Sequence, residues 1–128
     1  AVGHYLAEGG GILVTVSSWT AQRGPGNPDL VAYAASKSAV LTATKTVAKS
    51  YADRGILAYV VSPGVVRTRL SEEAAERTGG ADAVTATLAM KEWVPPAELG
   101  NLVAFLSSGA CRHLSGATLD VNGASYIR

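Results

Sequence analysis

With 128 residues, the chain has room for about one domain at roughly 100–200 residues each, which excludes a multi-domain machine. Eleven Lys and Arg against ten Asp and Glu leave a net charge of +1, so there is no electrostatic footprint for nucleic acid or an anionic membrane. Hydrophobic residues at 48% exclude a disordered chain, and charged residues at only 16% are few for a small isolated domain, which points to a surface covered by something else.

In chain order, residues 1–8 read as the end of a helix, stopped by Gly9-Gly10-Gly11. Ile12-Leu13-Val14-Thr15-Val16 is a continuous β-branched and apolar run, the pattern of a strand buried on both faces. Residues 18–30 carry Gly24, Pro25, Gly26, Asn27, Pro28 and Asp29 and read as a loop. A long helix is predicted from about Val31 to Asp53, with Asp29 as its cap and Gly55 as its stop. One stripe of it, Ala35, Ala39 and Ala43, is small enough for close approach of another element. Residues 56–61 read as a second buried strand, ended by Ser62-Pro63-Gly64.

Residues 65–93 read as one or two short helices on an excursion, with Gly79-Gly80 in its middle. Pro95-Pro96 opens a helix with Leu99, Leu102, Val103 and Leu106 on one face. A third short strand is predicted over 117–121, followed by Asn122-Gly123. Strands joined through helices imply parallel crossovers and a layered α/β sheet. Ligands of such sheets sit beyond the carboxyl ends of the strands, which directs attention to 17–37, 62–70 and 122–128.

No apolar run approaches the ~20 residues of a membrane helix. No basic flank precedes an apolar block at the N-terminus, so a secretory signal is not expected. The single cysteine, Cys111, excludes a disulfide framework and a multi-cysteine zinc site and fits a reducing compartment; a cytoplasmic protein is expected. His4 and His113 have no ligand-spaced partners, and no metal is expected. A serine hydrolase is disfavoured because Gly123-Ala124-Ser125 lacks the second glycine of a nucleophile elbow. Trp19 and Trp93 read as packing residues near a substrate pocket, and Glu72, Glu73, Glu76 and Arg77 as a solvated helix face.

Tyr33 and Lys37 lie four apart at the start of the long helix and so share a face. A free phenol ionises near pH ~10, so proton chemistry at neutral pH calls for a nearby cation. Alone, the pair is weak evidence, since Tyr-x-x-x-Lys arises readily by chance. Ser17-Ser18 ends the first strand, and a hydroxyl there can be folded back to the phenol and donate to a substrate oxygen. Ser62-Pro63-Gly64-Val65-Val66-Arg67-Thr68 leaves the second strand at the same sheet edge.

On four motifs the chain resembles the C-terminal half of a short-chain dehydrogenase/reductase. They are Val14-Thr15-Val16-Ser17-Ser18, Tyr33-Ala34-Ala35-Ser36-Lys37, residues 61–68, and Leu114-Ser115-Gly116 through Leu119-Asp120-Val121-Asn122-Gly123. The resemblance implies a Rossmann-type, doubly wound parallel sheet, of which residues 1–128 are the C-terminal portion. The dinucleotide-phosphate half is absent from it: Gly9-Gly10-Gly11 precedes a strand rather than opening a helix. It also implies an NAD(P)-dependent oxidoreductase interconverting a ketone or 3-oxo substrate and a secondary alcohol, with NAD or NADP as cofactor. Tyr33 would be the general acid/base. Lys37 would favour the ionised phenol and bond the nicotinamide ribose. Ser18, favoured over Ser17, would polarise the carbonyl. Pro63, Gly64 and Val66 would line the nicotinamide, and Thr68 would contact its carboxamide or the pyrophosphate. Residues 69–93 would form a substrate lid, and the intact protein would be a homodimer or homotetramer. A second reading treats the chain as a non-catalytic fragment or interaction half, on the ground of the missing phosphate turn and the low charge fraction.

Overall fold

The computed structural model describes residues 1–128. A short helix α1 (Val2–Ala7) leads into strand β1 (Gly11–Val16); a four-residue helix α2 (Thr20–Arg23) and the long helix α3 (Val31–Tyr51) connect to strand β2 (Ile56–Pro63). Helices α4 (Arg69–Glu76), α5 (Gly80–Thr87) and α6 (Pro96–Ser107) then lead to strand β3 (Thr118–Val121). The sheet order is β1-β2-β3 and both pairings are parallel, Gly11 opposite Ile56 and Val60 opposite Thr118. The two short helices expected within 65–93 are α4 and α5.

The sheet explains where the core sits. β2 is central and buried at all eight positions, whereas β1, with one edge unpaired, is half-buried or exposed throughout. Each of Ile56, Val60 and Val61 is 0% exposed, and burial of such a side chain contributes about 1.5–3 kcal/mol. Alternation along the strands separates two unlike layers. Leu57, Tyr59 and Val61 pack on Leu106 of α6 with Leu99, Leu102 and Val103 beside it, the face expected from sequence. The opposite face meets α3 and is more polar: the Thr15 and Thr44 hydroxyls are 2.8 Å apart, and both Thr44 and Ala48 of α3 are buried.

Helix α3 ends through a three-residue 3-10 turn, Ala52–Arg54, at Gly55, whose φ of +75° is left-handed. Its carbonyl accepts from the Gly11 amide at 3.2 Å, and a Cβ on Gly10 would stand 2.8 Å from that same oxygen. The glycines at 9–11 therefore do more than stop α1; they let the start of β1 lie against the end of α3.

Two expectations need correction. Residues 18–30 are not a continuous loop, since they contain α2 and a 3-10 turn, Pro28–Leu30. Asp29 is not the cap of α3. The 3-10 turn runs directly into α3, Leu30 occupies the cap position without a side-chain bond, and Asn27 accepts from the Asp29 amide at 2.9 Å. Pro28 explains the shift: its fixed φ starts the turn earlier, and the residue before it takes the extended conformation of a cap. The stripe Ala35, Ala39 and Ala43 is exposed, and α3 turns Ala34, Thr44 and Ala48 to the sheet instead.

Candidate active site

The carboxyl ends of the three strands are tied into one rim. Beyond the strand ends, the Ser17 amide donates to the Val61 carbonyl at 2.8 Å, Trp19 to Pro63 at 3.0 Å, and Gly64 to Val121 at 2.9 Å. The segments expected to hold chemistry are therefore neighbours.

Ser17 and Ser18 are both buried, at 2% and 6% exposure, but face different partners. The Ser17 hydroxyl donates to the Lys37 carbonyl at 2.9 Å and joins β1 to α3. The Ser18 oxygen accepts from the Thr20 amide at 3.2 Å and the Thr20 hydroxyl at 3.0 Å. With two donors on its oxygen, Ser18 keeps its own proton for an acceptor outside this turn.

Tyr33 stands on the first turn of α3, 45% exposed. Lys37 follows one turn later. Its ammonium donates to the Val16 carbonyl at 3.0 Å and lies 5.7 Å from the centre of the Tyr33 ring. The ion pairs of the structure, Arg67–Glu72, Arg69–Glu73 and Arg128–Asp120, leave Lys37 without a carboxylate. A single cation thus links the end of β1 to the phenol and retains two N–H donors for a ligand.

The turn after β2 is shaped by close packing. A Cβ on Gly64 would meet Asn122 Cβ at 2.8 Å, Asn122 Cα at 3.1 Å and Trp19 Cε3 at 3.5 Å. Pro63 is buried, and Val66 pairs with Val94 in a parallel bridge, with Arg67 N to Val94 O at 3.0 Å. Thr68 is exposed and caps α4: its hydroxyl accepts from the Ser71 amide at 3.3 Å, while Ser71 Oγ accepts from the Thr68 amide at 3.0 Å. Ser71 also donates to the Val66 carbonyl. The hydroxyl expected at the cofactor is therefore held in a helix cap in this conformation.

The residues fit a nicotinamide group as far as this chain extends. Gly64 has no side chain where the strand ends converge, Lys37 presents a cation without a carboxylate partner, and Ser18 a hydroxyl whose proton its two Thr20 bonds leave unused. Trp19 and Trp93 share one small cluster with Ala75, Leu88 and Val65. Trp93 is 4% exposed and donates to Thr85 at 2.8 Å, so it supports the α4–α5 hairpin. His4 and His113 are exposed. Glu72, Glu73, Glu76 and Arg77 form the solvated face expected of them, with two local ion pairs. A concavity of about 510 Å³ lined by Lys45, Ala48, Lys49, Ala52, Ser115 and Gly116 shares no residue with the rim.

Sequence reasoning missed Thr20 and Gln22. Thr20 has a local signal, since Ser18 followed by Thr20-Ala21-Gln22-Arg23 and Gly24 is a short capped turn ended by glycine; Gln22 has none, because its partners are Ser62 and Asp120.

Residues 1–124 match the family profile described as Enoyl-(Acyl carrier protein) reductase. An uncharacterized short-chain type dehydrogenase/reductase of Sinorhizobium fredii is 37% identical over 92% of this chain and 21% of its own length. The 2-(R)-hydroxypropyl-CoM dehydrogenase of Xanthobacter autotrophicus is 33% identical over 94% of this chain and 48% of its own. A crystal structure from Beutenbergia cavernae, provisionally called an NAD(P) dependent gluconate 5-dehydrogenase and holding NADP at low occupancy, superposes with a TM-score of 0.86. It is 31% identical, over 97% of this chain and 49% of its own. The chain spans about half the length of such relatives, or less. Together with the parallel sheet and its rim, these matches establish that the chain belongs to the short-chain dehydrogenase/reductase family.

Proposed function

We propose that this chain carries the proton-transfer side of an NAD(P)-dependent oxidoreductase that interconverts a ketone or 3-oxo compound and a secondary alcohol. The observation that carries the reading is the Lys37 ammonium, bonded to the end of β1 at Val16 and 5.7 Å from the Tyr33 ring, with Ser18 two residues further along the same rim. Relatives named dehydrogenases and a profile named for a reductase support the two directions of such a reaction.

When bound, the nicotinamide supplies the hydride. In reduction, Ser18 donates a hydrogen bond to the carbonyl oxygen and fixes its position. Tyr33 gives its phenolic proton to that oxygen as the carbonyl carbon becomes tetrahedral, and in oxidation takes the proton back. Lys37 stabilises the phenolate left behind and offers its remaining N–H donors to the ribose. Pro63, Gly64 and Val66 would line the nicotinamide, and Thr68 would contact its carboxamide or the pyrophosphate. Residues 69–93, the α4–α5 hairpin with its exposed Leu70, form the substrate lid.

The exposed stripe Ala35, Ala39 and Ala43 of α3 supports a homodimer or homotetramer, which size-exclusion chromatography with light scattering tests. No helix of the chain is long and apolar enough to cross a membrane. The activity is tested by following NADH and NADPH absorbance against a panel of ketones and 3-oxo esters. Saturable turnover with one cofactor is expected, and a folded protein inert to the whole panel with both cofactors would overturn the proposal.

A further inference from the structure

Helix α2 is four residues long, too short to hold a position by its own hydrogen bonding. Its placement is set by what its side chains reach. On one side, Thr20 donates to Ser18 Oγ at 3.0 Å. On the other, Gln22 spans two strands. Ser62 and Asp120 are register partners across β2 and β3, so their side chains share a sheet face. The Gln22 amide nitrogen donates to Ser62 Oγ at 2.6 Å and to Asp120 Oδ1 at 2.7 Å, so both its hydrogens are used.

The acceptors are themselves fixed. Ser62 is 0% exposed. The second oxygen of Asp120 accepts from Arg128 Nε at 2.9 Å, and the same guanidinium donates to the Thr118 carbonyl at 2.8 Å. A third tether, Ser38 Oγ to the Ala21 carbonyl at 3.2 Å, joins α2 to α3. The two acceptors explain the residue type. Glutamate at position 22 would set a carboxylate against Asp120, and an apolar side chain would leave the buried Ser62 hydroxyl short of a partner.

We propose that Gln22 is a positioning residue: by clamping α2 across the ends of β2 and β3 it holds Thr20, and through Thr20 the Ser18 hydroxyl, in the geometry that donates to the substrate oxygen. This deepens, and rests on, the oxidoreductase reading above. Gln22 touches neither substrate nor cofactor; it acts through Ser18 alone. Misplacement of a catalytic group by about 1 Å can cost ~100-fold in rate, so a released clamp registers in kcat.

The test is a double-mutant cycle in the protein, with whichever of NADH and NADPH supports turnover. Gln22→Glu is expected to lower kcat about 10- to 100-fold while the cofactor KM stays within about twofold, because the cofactor-lining turn at 63–66 is untouched. Asp120→Asn added to Gln22→Glu restores a donor opposite an acceptor and should recover most of the loss. In a Ser18→Ala background, Gln22→Glu should change kcat no further, since the group it positions is gone. Should Gln22→Glu fail to fold, Gln22→Met, of matched length and without a donor, carries the Ser18 arm of the cycle. Losses at Ser18 and Gln22 that multiply, or an unchanged kcat in a folded Gln22 variant, would overturn the clamp alone. Absence of turnover in the unaltered protein would instead overturn the oxidoreductase reading, and the clamp with it.

Discussion

Alanine at Gly64 and alanine at Gly100 should move stability in opposite directions. Neither glycine has a positive φ, so the difference lies in the space around each. At Gly64 the new methyl would stand 2.8 Å and 3.1 Å from Asn122 Cβ and Cα, both closer than carbon atoms pack. Neither atom is the tip of a flexible side chain, and Asn122 is held in place by its own bond to the Tyr126 carbonyl at 3.0 Å. The strand ends must therefore part, and overpacking of this kind costs about 1–3 kcal/mol. For a chain of this length a 2 kcal/mol loss lowers Tm by about 6–10 °C. Gly100 lies inside α6, exposed, with nothing within 4 Å of a built Cβ. There alanine removes only a helix penalty, a gain of about 0.5–1 kcal/mol, or roughly 2–4 °C. Differential scanning calorimetry of the two variants and the unaltered protein reads both shifts. Equal Tm values for Gly64→Ala and the unaltered protein would refute the claim that the strand ends converge on Gly64.

Three further outcomes follow from named contacts. Burial raises the Tyr59 phenol above its usual pKa of 10.0, with the Cys111 thiolate adding to the rise and Arg112 opposing it. A raised folded-state pKa leaves its stability contribution intact below pH 10 and removes it as pH climbs through the folded value; chemical denaturation across pH 9–11.5 should show this loss flattened in Tyr59→Phe. Ser71→Ala removes one half of the α4 capping box and should cost about 1 kcal/mol, with amide exchange faster over residues 66–72 than elsewhere. Ser17→Ala, which cuts the bond to the Lys37 carbonyl, should destabilise by about 1 kcal/mol yet keep its kcat, whereas Ser18→Ala should lower kcat to a small but measurable residual value.

Which parts could be read from the amino-acid order depends on the range of the interactions. The runs at 12–16 and 56–61 declare themselves as strands because no charged residue, Gly or Pro interrupts them, and β2 extends to Pro63. The long helix is clear from the absence of Gly and Pro between Val31 and Arg54. Its start at Val31 is read correctly, but its cap is not, because Pro28 begins a 3-10 turn and Asn27 rather than Asp29 does the capping. Helix α2 escapes notice because four residues are too few for periodicity, and Gly24, Pro25 and Gly26 dominate that stretch. At the site, the shared face of Tyr33 and Lys37 is legible from helical spacing, and the pair gains weight only with Ser17-Ser18 and the turn at 62–68 beside it in the sequence reading. The different partners of Ser17 and Ser18 are not legible, since that of Ser17 is a carbonyl twenty residues away in α3. Gln22 is invisible by the same measure, as its partner Asp120 comes from the last strand.

The claim at the centre of this account is that Tyr33 transfers the proton. Replacing Tyr33 by phenylalanine removes one oxygen from an exposed position and leaves Lys37, Ser18 and the turn at Gly64 in place. Steady-state turnover and nicotinamide binding by isothermal titration, measured on Tyr33→Phe and the unaltered protein, test it most directly. The account predicts a fall in kcat of about 100- to 10,000-fold, the usual worth of a general acid/base, with cofactor affinity little changed. Near-normal turnover in Tyr33→Phe would contradict it.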